Sequence, residues 1–205
     1  MTPVTRRPGQ RELARAVGIP SVVDTRETLV EAYVPKGARL AEVGVFEGAF
    51  SRVLLERCAP TALHLIDVFE GVHVCGDVHF QNMRHRDMHE VLMTLWREFA
   101  RHDVVRLHKG RGVEVLNALP EASLDFVYVD ALHDYASVAA DLRAAARVSP
   151  HLIGGHDYAE HHFPGVVKAV KEFCWERNWT MVAKSSEALP SYVLMPTPET
   201  YGGEA

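Results

Sequence analysis

The sequence predicts an α/β protein whose doubly wound, mostly parallel sheet has seven strands and ends in an antiparallel hairpin. Three features support this prediction. Short apolar runs, which are typical of strands buried on both faces, alternate with segments of helical apolar spacing. Such alternation is characteristic of parallel strands that are joined by helices. The last two apolar runs, 179–184 and 191–195, are separated only by a proline-containing turn, which indicates a hairpin at a sheet edge.

The strands are predicted from short apolar runs that end in polar or turn residues. In chain order they span 39–45, 62–67, 104–109, 123–130, 151–158, 179–184 and 191–195. The helices between them have apolar residues at helical spacing; they begin near Ser51 or span 90–100, 113–119, 136–147 and 166–177. No internal repeat or linker divides the sequence, so we expect a single domain over residues 1–205.

Two segments are additions to this alternation. Residues 11–17 and 25–33 are predicted as short helices, the second capped by Asp24 or Thr25, and they form a helical cover over about residues 8–34. The second addition follows the second strand and is described next.

Residues 70–102 are longer than a simple crossover and are predicted as a lid-like insertion. Its first part is expected to be irregular. Its helix is expected to carry five apolar residues on one face: Val91, Leu92, Leu95, Trp96 and Phe99. Histidines crowd this insertion at positions 73, 79, 85 and 89. Their scattered spacing favours a solvated loop or an oligomer contact over a metal site.

The composition excludes several classes of protein. Hydrophobic residues make up 47% of the chain and charged residues 24%, as in ordinary globular proteins. The net charge of −5 argues against nucleic acid or a membrane surface as the main partner. The three cysteines are far apart and form no C-x-x-C pair, and no signal peptide or membrane span is visible, so we expect a cytoplasmic protein with reduced thiols.

The first strand leads directly into a glycine turn at the start of a helix, where open α/β sheets bind nucleotide-like ligands. Glu42, Gly44 and Gly48 form an E-x-G-x-x-x-G pattern. A dinucleotide site needs G-x-G-x-x-G, but the required second and third glycines are Phe46 and Ala49 in this chain. An ordinary strand-to-helix turn of a Rossmann-like domain is the alternative interpretation.

This stretch resembles motif I of class I S-adenosylmethionine (SAM)-dependent methyltransferases, whose fold has the predicted order of strands and helices. The resemblance implies that the turn of Gly44 and Gly48 passes under the methionine part of SAM. It also implies that Glu42 helps to hold the amino end of that part.

Two later strand ends are expected to complete the cofactor site. Asp67 ends the second strand about twenty positions after the turn, where an acid can accept hydrogen bonds from both ribose hydroxyls. The resemblance gives Asp67 this role, and capping of a turn is the alternative. In the same family the turn after the third strand lies near the adenine ring, which implies that place for Gly110 and Arg111.

Asp130 and Asp157 end the fourth and fifth strands, at the edge where such sheets place their sites. Two converging carboxylates repel each other unless a cation or a proton lies between them. His133, three residues after Asp130, adds a base. The stretch 125–173 resembles the metal-dependent macrolide-sugar O-methyltransferases of the mycinamicin and macrocin type, and it is similar to the cephalosporin-hydroxylase-like group. The resemblance implies that Asp130 and an acidic pair at Asp157 bind a divalent ion, and that His133 abstracts the hydroxyl proton.

The chain departs from that pattern at His156, because the macrolide-sugar enzymes carry two acids where this sequence has His156-Asp157. Mg²⁺ prefers oxygen ligands, whereas imidazole suits Mn²⁺, Fe²⁺ or Zn²⁺. Either the metal differs, or His156 faces elsewhere and His161 replaces it, or no metal binds. Helix capping by Asp130 and a structural His133 are the alternatives to a catalytic role.

We therefore expect a SAM-dependent enzyme that methylates a hydroxyl of a small molecule, with His133 and Asp130 as catalytic residues. Asp130 is also expected to face the cofactor, and Asp130, His156 and Asp157 to hold a divalent metal. The expected partner is the small-molecule acceptor, without nucleic acid or membrane, and homo-oligomer formation is left open. Three alternatives remain: a metal-independent methyltransferase acting on nitrogen or carbon, a non-catalytic SAM-fold binding protein, and an NAD-dependent oxidoreductase.

Overall fold

The computed structural model describes residues 20–75 and 84–197 of the chain. The strands of this part are β1 (Ser21–Val23), β2 (Arg39–Val43), β3 (Ala62–Asp67), β4 (Val72–Cys75), β5 (Arg84–Asp87), β6 (Val105–Lys109), β7 (Phe126–Val129), β8 (Ile153–Gly155), β9 (Trp179–Ser185) and β10 (Tyr192–Pro196). The helices are α1 (Arg26–Tyr33), α2 (Ala49–Cys58), α3 (Met88–Phe99), α4 (Gly112–Ala118), α5 (Tyr135–Val148) and α6 (Pro164–Arg177).

The main sheet has the strand order β1-β9-β10-β8-β7-β2-β3-β6. Its pairings are parallel except for the two that β10 makes with β8 and β9. The predicted fold class is confirmed: the sheet is mostly parallel and has a C-terminal antiparallel hairpin. The number of strands differs, because within residues 20–75 and 84–197 the main sheet has eight strands rather than the predicted seven. The additional strand is β1, whose β-branched Val22 and Val23 pair in parallel with β9.

Helices cover both faces of the sheet, as expected for a doubly wound protein. The helices α4, α5 and α6 pack on one face, where Leu116, Leu142 and Val170 are buried. The helices α1, α2 and α3 pack on the other face, mainly through buried leucine and phenylalanine side chains. No helix of residues 20–75 and 84–197 combines the length and the apolar character needed to cross a bilayer.

The predicted N-terminal cover is described in part. Helix α1 lies where expected, and Thr25 caps it, because the Thr25 hydroxyl accepts a hydrogen bond from the Thr28 amide at 3.2 Å. Residues 11–17 lie outside the described residues, so the first helix of the cover stays a prediction.

The predicted lid-like insertion contains regular structure. Strands β4 and β5 form a separate antiparallel pair, and the residues between them lie outside the described part of the chain. Asp87 then caps α3 by accepting a hydrogen bond from the His89 amide at 2.8 Å. Of the predicted apolar face, Leu95 and Phe99 are buried, and Val91 and Leu92 are partly buried against the core. Trp96 is 58% exposed, so the prediction of an inward-facing Trp96 was wrong.

Candidate active site

The carboxyl ends of the parallel strands place the predicted site residues next to one another. Val129 of β7 pairs with Gly155 of β8, so the residues that follow them, Asp130 and His156, are neighbours across the sheet. The Asp130 amide also donates a hydrogen bond of 2.7 Å to the Val43 carbonyl, which ties the end of β7 to the end of β2. Residues that are distant in sequence therefore meet at one edge of the sheet.

A cavity of about 440 Å³ opens at this edge. Its lining includes His133 and all the predicted cofactor residues except Gly48, namely Glu42, Gly44, Asp67, Gly110, Arg111 and Asp130. The predicted metal ligands His156 and Asp157 are not part of the lining, but they contact Asp130 and His133, which are.

The first glycine of the turn, Gly44, has a backbone conformation that residues with a side chain rarely adopt. Gly44 has a φ of +92°, and a Cβ atom on it would lie 1.9 Å from the carbonyl oxygen of Asp130. Gly48 also has a left-handed φ of +74°, but its missing Cβ would point at Leu95 of α3, 2.7 Å from the nearest side-chain atom. Gly44 therefore shapes the cavity, whereas Gly48 permits close packing of α2 against α3.

Asp67 braces the same turn from the end of β3. Its Oδ2 atom accepts hydrogen bonds from the amides of Val45 and Phe46 at 2.9 and 3.0 Å, and its Oδ1 atom accepts one from Phe69 at 3.0 Å. Phe46 has a left-handed φ of 48°, which costs free energy in a bulky residue. The turn-capping role is thus present. The ribose role stays a prediction, which would use the lone pair of Oδ1 that the three amides leave available.

Glu42 is a carboxyl group enclosed by the protein at the floor of the cavity. It is 1% exposed, and it accepts a hydrogen bond of 2.5 Å from the Ser51 hydroxyl at the start of α2. Burial raises the pKa of Glu42 from 4.5 to about 8, although the Ser51 hydrogen bond works in the opposite direction. Glu42 is therefore largely protonated at neutral pH in the free protein.

The predicted catalytic and metal residues form one connected cluster. His133 Nε2 lies 2.8 Å from Asp157 Oδ2, and the His133 ring packs against Phe163 with ring centres 4.3 Å apart. The other oxygen of Asp157, Oδ1, lies 3.2 Å from His156 Nδ1. That same nitrogen is 3.6 Å from Asp130 Oδ1. Asp157 therefore contacts the predicted base with one oxygen and the predicted metal ligand His156 with the other.

The charges of this cluster shift its protonation equilibria. The contact with Asp157 raises the pKa of His133, although burial acts against it. Burial lowers the pKa of His156, but the carboxylates of Asp130 and Asp157 outweigh it and raise that pKa to about 9. Burial raises the pKa of Asp157, but the two imidazoles outweigh it and hold that pKa well below its ordinary range. In the free protein, a protonated His156 thus supplies the positive charge between the two carboxylates.

The donor set of this cluster also fits a divalent ion. One ligand atom each from Asp130, His156 and Asp157 can lie within 4.8 Å of one another. The Asp157 Oδ1 atom is buried and lacks a well-aligned hydrogen-bond donor. Two carboxylates and one imidazole suit Mn²⁺, Fe²⁺ or Zn²⁺ better than Mg²⁺. His161, which we considered as a substitute ligand, is not part of this set.

Comparison with known protein families identifies the class of the chain. A family model described as "Methyltransferase domain" matches residues 41–158, which is more than half of the 205 residues and runs from within β2 to beyond β8. The chain belongs to this methyltransferase-domain family. No curated protein matches the chain.

Solved structures agree with this methyltransferase domain in fold. A proposed tRNA (m1A22) methyltransferase from Streptococcus pneumoniae, in complex with SAM, is 14% identical; the match covers 85% of this chain and 74% of that one, with a TM-score of 0.57. The B. subtilis m1A22 tRNA methyltransferase is 12% identical over 85% and 66%, with a TM-score of 0.57. A proposed methyltransferase from Streptococcus mutans, in complex with S-adenosylhomocysteine (SAH), is 9% identical over 82% and 94%, with a TM-score of 0.56. At these identities the similarity shows the fold alone.

Three charged residues of the cavity lining, Arg26, Glu70 and Asp141, were missed from sequence. Asp141 of α5 lines the cavity, and burial raises its pKa to about 6. A signal existed for it, since Asp141 interrupts the apolar face formed by Val138 and Leu142. Arg26 of α1 also lines the cavity, but it precedes residues 41–158 and belongs to no motif, so no local signal marked it.

Proposed function

We propose that this methyltransferase transfers a methyl group from SAM to a hydroxyl of a small molecule, such as a sugar or a natural product, with His133 as the general base. The observation that carries the proposal is the position of Asp157, whose two oxygens contact His133 and His156 beside the cavity. A carboxylate that orients an imidazole at the wall of a cavity is a typical arrangement for general-base catalysis.

The cavity suits SAM as the methyl donor. Glu42 would face the amino group of the methionine part above the turn of Gly44, Asp67 would bind the ribose, and Gly110 and Arg111 would lie at the adenine. The family match and the absence of a G-x-G-x-x-G fingerprint support SAM over NAD. SAM and SAH in two structurally similar proteins are consistent with this assignment.

His133 would activate the acceptor. An alcohol or phenol is a weak nucleophile while it keeps its proton, so a base must remove that proton as the methyl group is transferred. The Nε2 atom of His133 is buried against Asp157, which leaves Nδ1 as the nitrogen that can accept the proton. The ring contact with Phe163 restricts the orientation of the imidazole. Positioning of the acceptor oxygen in line with the methyl group supplies the rest of the rate enhancement.

A divalent ion would be held by Asp130, His156 and Asp157. When bound, such an ion supplies Lewis acidity, which lowers the pKa of a hydroxyl group near it. Asp130 lies both in this donor set and in the cavity lining, so it connects the metal ligands to the cofactor side of the site.

A metal-independent methyltransferase is the second candidate, and one observation favours it. The His156 imidazolium, with its pKa of about 9, already neutralises the repulsion between Asp130 and Asp157. The site is therefore electrostatically balanced without an ion, and this second candidate would methylate a nitrogen or a carbon.

The rim of the cavity and the overall charge support a small acceptor. Val68 and Leu132 line the cavity and remain 44% and 62% exposed, so the rim offers apolar contacts. The net charge of −5 disfavours nucleic acid as a substrate. We therefore propose a small, partly apolar acceptor, and we propose neither a nucleic acid nor a membrane as partner. The RNA substrates named for similar structures are properties of those proteins.

The test is methyl transfer from isotopically labelled SAM to a panel of sugar, phenol and amine acceptors, followed by mass spectrometry. His133→Ala should lower the rate by about 10²–10⁴, and His133→Gln should be nearly as slow, because glutamine cannot accept the proton. Both variants should bind SAH with nearly wild-type affinity. His151→Ala, at an exposed position outside the cavity lining, is the matched control and should keep the wild-type rate.

Two results would contradict the proposal. A protein whose melting temperature rises with NAD but not with SAH would not be a SAM-dependent enzyme. A His133→Ala variant that keeps its turnover per folded molecule but melts at a lower temperature would show that His133 is structural. His156 or His161 would then be the next candidate base.

A further inference from the structure

Arg26 brings a permanent positive charge into the cavity from a segment that precedes the family match. Its backbone amide donates a hydrogen bond of 2.8 Å to Glu187 Oε2, in the turn between β9 and β10. Its guanidinium carbon lies 4.7 Å from the centre of the Phe50 ring, and its Nη1 atom lies 4.0 Å from Asp130 Oδ2. The backbone and the side chain of Arg26 are thus both held in place at the wall of the cavity.

The guanidinium of Arg26 is held in place, but it makes no short hydrogen bond to the two carboxylates near it. Among the residues that the structure describes, its carboxylate contacts are Glu27 at 3.6 Å and Asp130 at 4.0 Å, both too long for a hydrogen bond. A guanidinium carries five N–H donors in a planar fork that matches a carboxylate. The side chain is 25% exposed and lines the cavity, so a ligand in the cavity can reach these donors. Arg26 therefore has donors available for an anionic ligand in the cavity.

The position of Arg26 assigns it to one end of the proposed SAM site. It lies beside Asp130, which follows β7, and β7 is next to β2, the strand of Glu42. Arg111, at the proposed adenine end, follows β6, which is three strand spacings from β7, or about 14 Å. Among the described residues of the lining, Arg26 and Arg111 are the arginines, and lysine is absent. The fixed positive charge at the methionine end is therefore Arg26.

The chemistry of SAM gives such a charge a role at that end. Its methionine part carries an ammonium and a sulfonium, which suit the Asp130 carboxylate and an ionised Glu42. It also carries a carboxylate, which Asp130 would repel and which a protonated Glu42 would not neutralise. We propose that Arg26 binds the carboxylate of the methionine part of SAM and so selects for a cofactor that carries it. This inference rests on the proposed function, because it takes the cavity to be the SAM site.

The test compares two ligands that differ only in the carboxylate: SAH and its decarboxylated analogue, S-adenosyl-3-thiopropylamine. Titration calorimetry of the full chain should show that the wild type binds SAH about 10- to 100-fold more tightly than the analogue. Arg26→Met, which keeps an apolar contact for Phe50, should lose a similar factor for SAH and keep its affinity for the analogue. Arg26→Lys should lose less, because it keeps the charge but not the planar fork.

Arg57→Met is the matched control, because Arg57 has a similar carboxylate contact, 3.6 Å from Glu31, on α2 and outside the cavity lining. It should bind both ligands like the wild type. An equal loss of both ligands in Arg26→Met would overturn the inference, and so would unchanged SAH affinity with a higher KM for the acceptor. A wild type that binds SAH and the analogue equally would overturn the inference alone. A wild type that binds neither ligand would refute the proposed function as well.

Discussion

Replacing Glu42 with glutamine should stabilise the free protein increasingly as the pH rises. Burial raises the pKa of Glu42 from 4.5 to about 8. Below pH 4.5 the carboxyl group is protonated in both the folded and the unfolded chain, so it contributes no pH dependence. Between the two values the unfolded chain loses the proton and the folded chain keeps it, so the free energy of unfolding falls with pH. Above about pH 8 both states are ionised, and the loss is constant.

The size of this loss follows from the interval between the two pKa values. Each pH unit in this interval lowers the free energy of unfolding by roughly 1.4 kcal/mol. The wild type therefore loses about 3 kcal/mol of stability by pH 7 and approaches a loss of about 5 kcal/mol above pH 8. Glutamine has nearly the same volume, can still bond to the Ser51 hydroxyl and does not ionise. Glu42→Gln should therefore match the wild type near pH 4.5 and exceed it by about 3 kcal/mol at pH 7.

Urea unfolding of both proteins at pH 5, 7 and 8.5 measures this difference. Glu56→Gln is the matched control, because Glu56 is exposed on α2, and its effect should stay within about 0.5 kcal/mol at every pH. A constant difference between Glu42→Gln and the wild type at all three values would refute the reasoning, because it would show that Glu42 does not take up a proton on folding.

Three further predictions concern the same edge of the sheet. Gly44→Ala should destabilise the fold by about 3 kcal/mol or more in urea unfolding, because the added Cβ would lie 1.9 Å from the Asp130 carbonyl oxygen. Gly37→Ala is the control: Gly37 has a similar φ of +77°, but its added Cβ would meet no atom within 4 Å, so the change should cost only about 1 kcal/mol. Asp67→Ala should lower the melting temperature, because three amides lose their acceptor, and should weaken SAH binding about 10- to 100-fold in calorimetry; unchanged affinity would mean that another residue holds the ribose. If a metal assists the reaction, EDTA should abolish turnover and Mn²⁺ or Mg²⁺ should restore it. The Asp157→Asn variant should respond less to the added metal and should bind SAH almost as tightly as the wild type. Full activity in EDTA, with no metal detected, would support the metal-independent candidate.

The sheet could be predicted from sequence because its central strands are short, apolar and locally specified. Strand β3 has the predicted bounds, and Asp67 ends it as expected. The edge strand β1 could not be predicted in the same way, because three residues are too few to show alternation and their pairing with β9 depends on tertiary contacts. The error at Trp96 has a similar origin: helical spacing defines a broad stripe, and only packing decides which residues at its border are covered.

The site residues that could be predicted from sequence are those at or near the carboxyl ends of predicted strands. Glu42, Asp67 and Asp130 each occupy such a position, and the structure brings all three to the cavity. Arg26 reaches the cavity through the packing of α1, and its backbone anchor, Glu187, is 161 residues away in sequence. A contact of this kind leaves no mark in the local pattern, so only the folded arrangement could reveal it.

The least regular strand end is the one on which the proposed chemistry depends most. The fifth strand was predicted to run to position 158, but β8 ends at Gly155. The last hydrogen bond between the two strand ends is donated by the His156 amide to the Val129 carbonyl, and the chain then turns away from the sheet. Asp157 then adopts a left-handed φ of 61°, a conformation that costs free energy in residues other than glycine, although aspartate tolerates it better than most. In this conformation the carboxylate of Asp157 contacts His133 with one oxygen and His156 with the other. Regular extended backbone would project residues 156 and 157 to opposite faces of the sheet, so both could not serve one cluster. The end of β8 at Gly155 is therefore what allows Asp157 to contact both His133 and His156. Backbone strain of this kind is expected at functional sites, where a residue departs from its preferred local conformation.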